Sequence, residues 1–280
     1  MKKACVILLV FIGFVCFYES ADAYVLQGPH ILELMTTKLG VPKKLLVSQR
    51  LVIYDNSLQN GSVELDETLR YHFPEKFRSD IQSENAQRIH VFSKGVALTV
   101  IDGKVTTEAE IGFDWFKDIL LYRSRELLQE RLSLLGVNVS VSSLGRFKDK
   151  IAFVVGAEYP DESTPQVWID KDTFRPVRWL IECKRPELEK DSLEVRYLDW
   201  QKINRIWYPM LIEFYQNNFL VREIYVVNIE VNPLFSGNLF DINRLKSIYP
   251  PIASVMTDQQ KTNDLNDVQK TIEDFTKIFK

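Results

Sequence analysis

From Leu45 to Val231 apolar and polar side chains alternate with a period of two, broken once by a long helical pattern. Leu45, Val47, Leu51 and Ile53 share one face. Val63, Leu65, Leu69, Tyr71 and Phe73 share another before Pro74 stops the strand. Phe77 to Ser83, Arg88 to Ser93 and Val96 to Ile101 continue the pattern, and Asp102-Gly103 reads as a hairpin turn into Lys104-Val105. Beyond the helical interruption, strands are expected over 137–147, 151–158, 166–170, 176–183, 193–203, 208–216 and 219–231. Turn residues separate them at Lys148-Asp149, Lys171-Asp172-Thr173, Asn204-Arg205 and Asn217-Asn218. Such spacing, with no helix between strands, predicts antiparallel neighbours in a meander.

The period becomes 3.6 in four places. Pro29 to Leu39 carries Ile31, Leu32, Met35 and Leu39 as one stripe, closed by Gly40 and Pro42. Asp114 to Leu135 reads as the main helix, with Asp114 as cap and Gly136 as stop. Its apolar stripe is Phe116, Ile119, Leu120, Leu127, Leu128, Leu134 and Leu135. Arg123, Arg125, Glu126, Gln129 and Glu130 form the expected solvated face. Leu239 to Tyr249 is a short helix ended by Pro250-Pro251, and Asp264 to Phe279 a final amphipathic one.

These helices are too few to be crossovers between parallel strands. The pattern predicts an α+β fold: a single strongly curved antiparallel sheet of about 11–12 strands, an open and incomplete β-barrel, with helices covering its concave face. Phe73, Phe77, Phe116, Ile119, Leu120, Phe153, Trp179, Tyr197 and Phe214 then line the enclosed space. They form an apolar cavity if the helices leave room, and a solid core if they do not.

The first residues read as an export signal. Lys2 and Lys3 precede an uncharged run from Ala4 to Tyr18, and Ala21-Asp22-Ala23 offers a cleavage site after Ala23. The run is shorter than the roughly 17–25 residues of a spanning helix. Val15 before Cys16 argues against lipid attachment at that cysteine. Residues 1–23 are thus a cleaved signal peptide and 24–280 one domain, with 232–280 a helical C-terminal extension. The net charge is −3, without the basic footprint of a nucleic-acid binder. Cys183 alone remains after cleavage, so no internal disulfide forms, which fits a bacterial envelope compartment better than a eukaryotic secretory one.

Recognisable catalytic chemistry is missing. The chain has no HExxH, GxSxG, P-loop or CxxC motif, and His30, His72 and His90 are scattered. The expectation is no enzyme, no metal and no cofactor.

The run Val167-Trp168-Ile169-Asp170-Lys171-Asp172-Thr173-Phe174-Arg175-Pro176-Val177-Arg178 resembles a hairpin of the LolA/LolB-like outer-membrane lipoprotein-sorting superfamily, with its W-[IL]-D-x-x-[TS]-x-x-P-x-[RK] pattern. Arg70 to Arg78 is similar to that family's F-x-x-P-x-x-[FY]-R strand crossing, and Tyr208-Pro209 to the opening of a late strand. The resemblance spans most of Tyr24 to Val231; Asn232 to Lys280 has no counterpart in it, and no ligand-gating arginine carries over. It implies a monomeric periplasmic carrier that holds acyl chains of lipids or lipoproteins in an apolar cavity and passes them toward the outer membrane. Its further partners would be inner- and outer-membrane envelope proteins. The alternative is a non-enzymatic sensor or interaction module on the same fold.

Overall fold

The computed structural model describes residues 25–54, 61–83, 86–185 and 188–252, with the backbone alone for 183–185 and 188–191. The signal segment and the helix expected over Asp264 to Phe279 lie outside these residues, as does the side chain of Cys183.

Among the described residues the strands form one antiparallel sheet of 13, in the order β6-β5-β4-β3-β2-β1-β13-β12-β11-β10-β9-β8-β7. They are β1 (Lys44–Tyr54), β2 (Ser62–His72), β3 (Lys76–Gln82), β4 (Gln87–Ser93), β5 (Val96–Ile101), β6 (Lys104–Thr107), β7 (Ser142–Phe147), β8 (Lys150–Val155), β9 (Gln166–Asp170), β10 (Pro176–Arg185), β11 (Leu188–Ile203), β12 (Ile206–Gln216) and β13 (Phe219–Val231). The strand count is thus slightly above the 11–12 read from the pattern. The short β6 is a full edge strand, and residues before Ser142 are a turn rather than the start of β7.

Turn chemistry sets the hairpins. Asp102-Gly103, Lys148-Asp149 and Asn217-Asn218 each put two successive residues at positive φ, the mirror-image turn that matches strand twist. At the β9–β10 turn, Asp170 Oδ1 accepts from the backbone N–H of Asp172 and Thr173 and from the Thr173 hydroxyl, at 3.1, 2.8 and 2.7 Å. The spacing of Asp and Thr in the motif is therefore a turn lock.

Two features of the topology are long-range. First and last strands pair, from Leu45 opposite Val231 to Ile53 opposite Arg222. The two edges, β6 and β7, are consecutive in the chain. The segment joining them crosses the inner face of the sheet rather than closing its edge.

That segment is where the sequence expectation fails. Asp114 to Leu135 is not one helix. It is a 3₁₀ turn at Gly112–Lys117, a four-residue α2 at Asp118–Leu121, an extended break, and α3 at Arg125–Leu134. Ser124 is the competing cap: its side chain accepts from the Leu127 N–H. Asp114 instead accepts from the N–H of Ile111, three residues earlier. Leu134, assigned to the stripe, is 74% exposed, and Arg123, assigned to the solvated face, is buried.

α1 (Gly28–Leu39) packs its stripe of Ile31, Leu32, Met35 and Leu39 inward with no exposed surface. Gly40 ends it at φ +77°, and a Cβ there would stand 2.5 Å from the Arg205 carbonyl oxygen. On the outer face, Ile89, Val91, Leu98 and Val100 are covered by Phe240 and Leu245, from the 3₁₀ turn Gly237–Phe240 and from α4 (Ile242–Ile248). Pro251 then bridges to Val105, so the residues after α4 cover part of the β6 edge.

Candidate functional site

The inner face is the candidate site. Phe77, Phe116, Ile119, Leu120, Phe153, Trp179, Tyr197 and Phe214 all belong to one buried cluster, with Phe73 packed at its margin. Ile119 and Leu120 have no exposed surface. Phe116 meets Phe214 edge-on, with ring centroids 5.6 Å apart. The nine side chains named from sequence are therefore together, and in this conformation the crossing segment fills the space between them. We call residues 110–135 the lid.

Alternation explains the apolar part. Odd-numbered positions of β1 to β3 and of β10 and β11 point inward, and the lid adds Phe113, Phe116, Ile119, Leu120, Leu121, Leu128 and Leu132. Tyr197 on β11 ties lid to wall by donating its hydroxyl to the Phe116 carbonyl at 2.9 Å.

Sequence reasoning missed that the same interior is heavily charged. Lys117, fully buried, pairs with Glu110 and with Asp118, the latter at 2.8 Å. Arg131 closes the square, at 2.6 Å from Glu110 and 2.7 Å from Asp118. Two cations and two carboxylates alternate, joining the entry loop, α2 and α3 across the helix break. Burial pushes Glu110 up, but Lys117 and Arg131 outweigh it and hold it down at about 2. Burial wins at Asp118, which stays above its ordinary value. Burial alone would lower Lys117, yet Asp118 and Glu110 carry it upward.

A second set reaches the sheet. Arg88 on β4 pairs with Asp114 of the lid at 2.7 Å. His90, also on β4, hydrogen-bonds Thr99 at 2.9 Å and stands 3.8 Å from Glu110. Deeper in the wall, Glu67 accepts from Gln49 at 2.6 Å and from the Ser79 hydroxyl, and burial pushes its carboxyl up. His90 therefore stands among carboxylates in the buried interior, not in an open cleft. No group of metal-ligating side chains stands out among the described residues.

Arg123 is different. It sits in the break between α2 and α3, 5% exposed, and none of its three guanidinium nitrogens has a hydrogen-bond partner among the described residues. Its Cζ lies 5.7 Å from the centre of the Phe73 ring. The titratable side chains that act on it are Tyr208 and Tyr71, whose hydroxyls share a hydrogen bond of 3.0 Å. The only sequence signal was weak: Arg123 abuts Ser124, and Ser inside a helical pattern is a candidate cap.

Outside the sheet, a cleft of about 350 Å³ is lined by Phe147, Ala152, Asp170, Arg175, Val177 and Trp200 among others. Among the described residues no helix is long and apolar enough to cross a membrane.

No protein-family profile and no curated protein matches the sequence. Solved structures do match. An outer-membrane lipoprotein-sorting protein domain from Vibrio parahaemolyticus superposes with TM-score 0.55 at 10% identity, over 78% of this chain and 98% of that one. A LolA superfamily protein from Nitrosomonas europaea gives 0.52 at 10% identity, over 77% and 98%. A DUF1329 family protein from Desulfovibrio piger gives 0.51 at 11% identity, over 78% and 97%. At such identities the likeness is one of fold, and the fold of this chain is that of the LolA-type lipoprotein-sorting structures.

Proposed function

We propose that this chain is a non-enzymatic periplasmic carrier that takes up acyl chains of lipids or lipoproteins between the inner face of the sheet and the lid, for transfer toward the outer membrane. The observation that carries the reading is the lid itself: a broken, two-helix segment that is apolar toward the wall and cross-linked internally by buried charge.

Magnitudes favour exchange of lid for ligand. Seven lid side chains at about 1.5–3 kcal/mol each amount to about 10–20 kcal/mol of burial. An acyl chain of about sixteen carbons brings about 12 kcal/mol at roughly 0.8 kcal/mol per CH₂. A chain of that size therefore replaces much of what the lid gives up. Opening also returns Glu110, Lys117, Asp118 and Arg131 to water, which lowers its cost relative to a purely apolar lid.

The runner-up, an interaction module, is favoured by the filled interior, which needs no ligand. Native mass spectrometry on protein purified from its own envelope separates the two. Copurifying acyl-chain species, together with loss of amide protection over 113–132 when lipid is added, is the expected result. Ligand-free protein whose lid protection does not respond to lipid would rule out the carrier.

A further inference from the structure

Arg123 needs a counter-ion that the described residues do not supply. A guanidinium removed from water without an anion or acceptor is among the costlier groups a protein can bury. Among the described residues, no carboxylate pairs with it. Nor do the tyrosines neutralise it, because burial pushes both Tyr71 and Tyr208 above the ordinary phenol range and keeps them uncharged. Burial also lowers Arg123, to about 10, so it is still a cation at neutral pH. The two phenols spend one O–H on each other, which leaves a second O–H proton for an outside acceptor.

We propose that Arg123, with the Tyr71–Tyr208 pair, seats the anionic headgroup of the amphiphile this protein carries, a carboxylate or a phosphate. The inference rests on the carrier reading and narrows it to acidic amphiphiles. Arg123 lies in the extended break of the lid, where an acyl chain displacing α2 from the wall would bring its headgroup beside the guanidinium. Phe73 and Tyr71 stack at 5.8 Å and form the apolar side of the seat. A guanidinium offers paired N–H donors that match carboxylate and phosphate oxygens alike.

The test measures equilibrium binding of oleate, monoolein, dioleoyl phosphatidate and inorganic phosphate to the purified full chain and to its Arg123→Met and Arg123→Lys variants. Oleate and monoolein share an acyl chain and differ in headgroup charge. The wild type is expected to prefer oleate over monoolein by about tenfold or more, the worth of a charge-assisted hydrogen bond. Arg123→Met should erase that preference, and Arg123→Lys should keep part of it. The relative affinity of oleate and phosphatidate then tells carboxylate from phosphate.

Equal binding of oleate and monoolein by the wild type, or a preference that survives in Arg123→Met, overturns the headgroup seat and leaves the carrier reading standing. Inorganic phosphate bound as tightly as oleate also overturns it, since the chain would then contribute nothing. Binding of none of the lipids removes the carrier reading and the seat together. A fold readout is independent of lipid. Ligand-free Arg123→Met should melt higher than the wild type, because an unpaired buried charge has gone. A lower melting temperature, or failure to fold, means that Arg123 is already paired within the protein and overturns the proposal.

Discussion

Replacing Lys117 with Met is the sharpest probe of the lid. The ammonium is wholly buried, bonded to Glu110 and Asp118, and lies over the Phe92 ring at 4.6 Å. Methionine has similar length and suits the aromatic side of that site, so the chief loss is charge. Glu110 and Asp118 would share Arg131 alone, leaving one negative charge uncompensated in the interior. Removing one partner of a buried pair costs about 3–5 kcal/mol. In a protein of this size that lowers the melting temperature by about 6–20 °C. Adding Asp118→Asn restores neutrality, leaving Arg131 with Glu110. The double variant should therefore be more stable than Lys117→Met alone, with a coupling of about 2 kcal/mol or more in the double-mutant cycle. Urea titration followed by circular dichroism reads both quantities. A cost below about 1 kcal/mol for the single variant, or simple additivity in the double, would refute the claim that the four charges act as a unit.

Acid should weaken the lid in a defined window. Glu110 has its folded value at about 2 against an ordinary 4.5, so its contribution is complete above pH 4.5 and lost as pH falls toward 2. That shift is worth about 3 kcal/mol, and stability measured from pH 5 to pH 2.5 should fall more steeply in the wild type than in Glu110→Gln; parallel curves would contradict the assignment. On the outer face, a Cβ at Gly145 would stand 2.7 Å from the Trp168 ring and 2.8 Å from Tyr159. Gly145→Ala should cost about 1–3 kcal/mol by overpacking and shift Trp168 fluorescence, whereas an unchanged melting temperature would mean that both rings move freely.

What the sequence determined is local. Alternation located the strands, because a side chain's face depends only on its parity within a strand. Turn residues located the hairpins, because positive φ is available to few residue types. Asp170 and Thr173 carried the W-I-D-x-x-T resemblance because they lock one turn among themselves. All nine proposed lining residues also lie in or against one cluster, since period-two and period-3.6 patterns both report which side is dry.

Only tertiary structure decided the rest. Nothing near β1 announces β13, 165 or more residues away, because their pairing joins the meander β1–β6 to the meander β7–β13 at the middle of the sheet, a contact between distant segments that no local pattern encodes. The lid broke at Tyr122–Ser124 although its apolar spacing suits one helix: Ser124 caps a new helix there, and both halves place apolar side chains, Phe116, Ile119 and Leu128, in the one buried cluster. That break turned Arg123 from a solvated face into the interior. It also brought Glu110 and Arg131, twenty-one residues apart, to 2.6 Å. Charges such as these read as surface in a sequence, since burial of an ion is tolerable only once its partners are assembled, and assembly belongs to the fold.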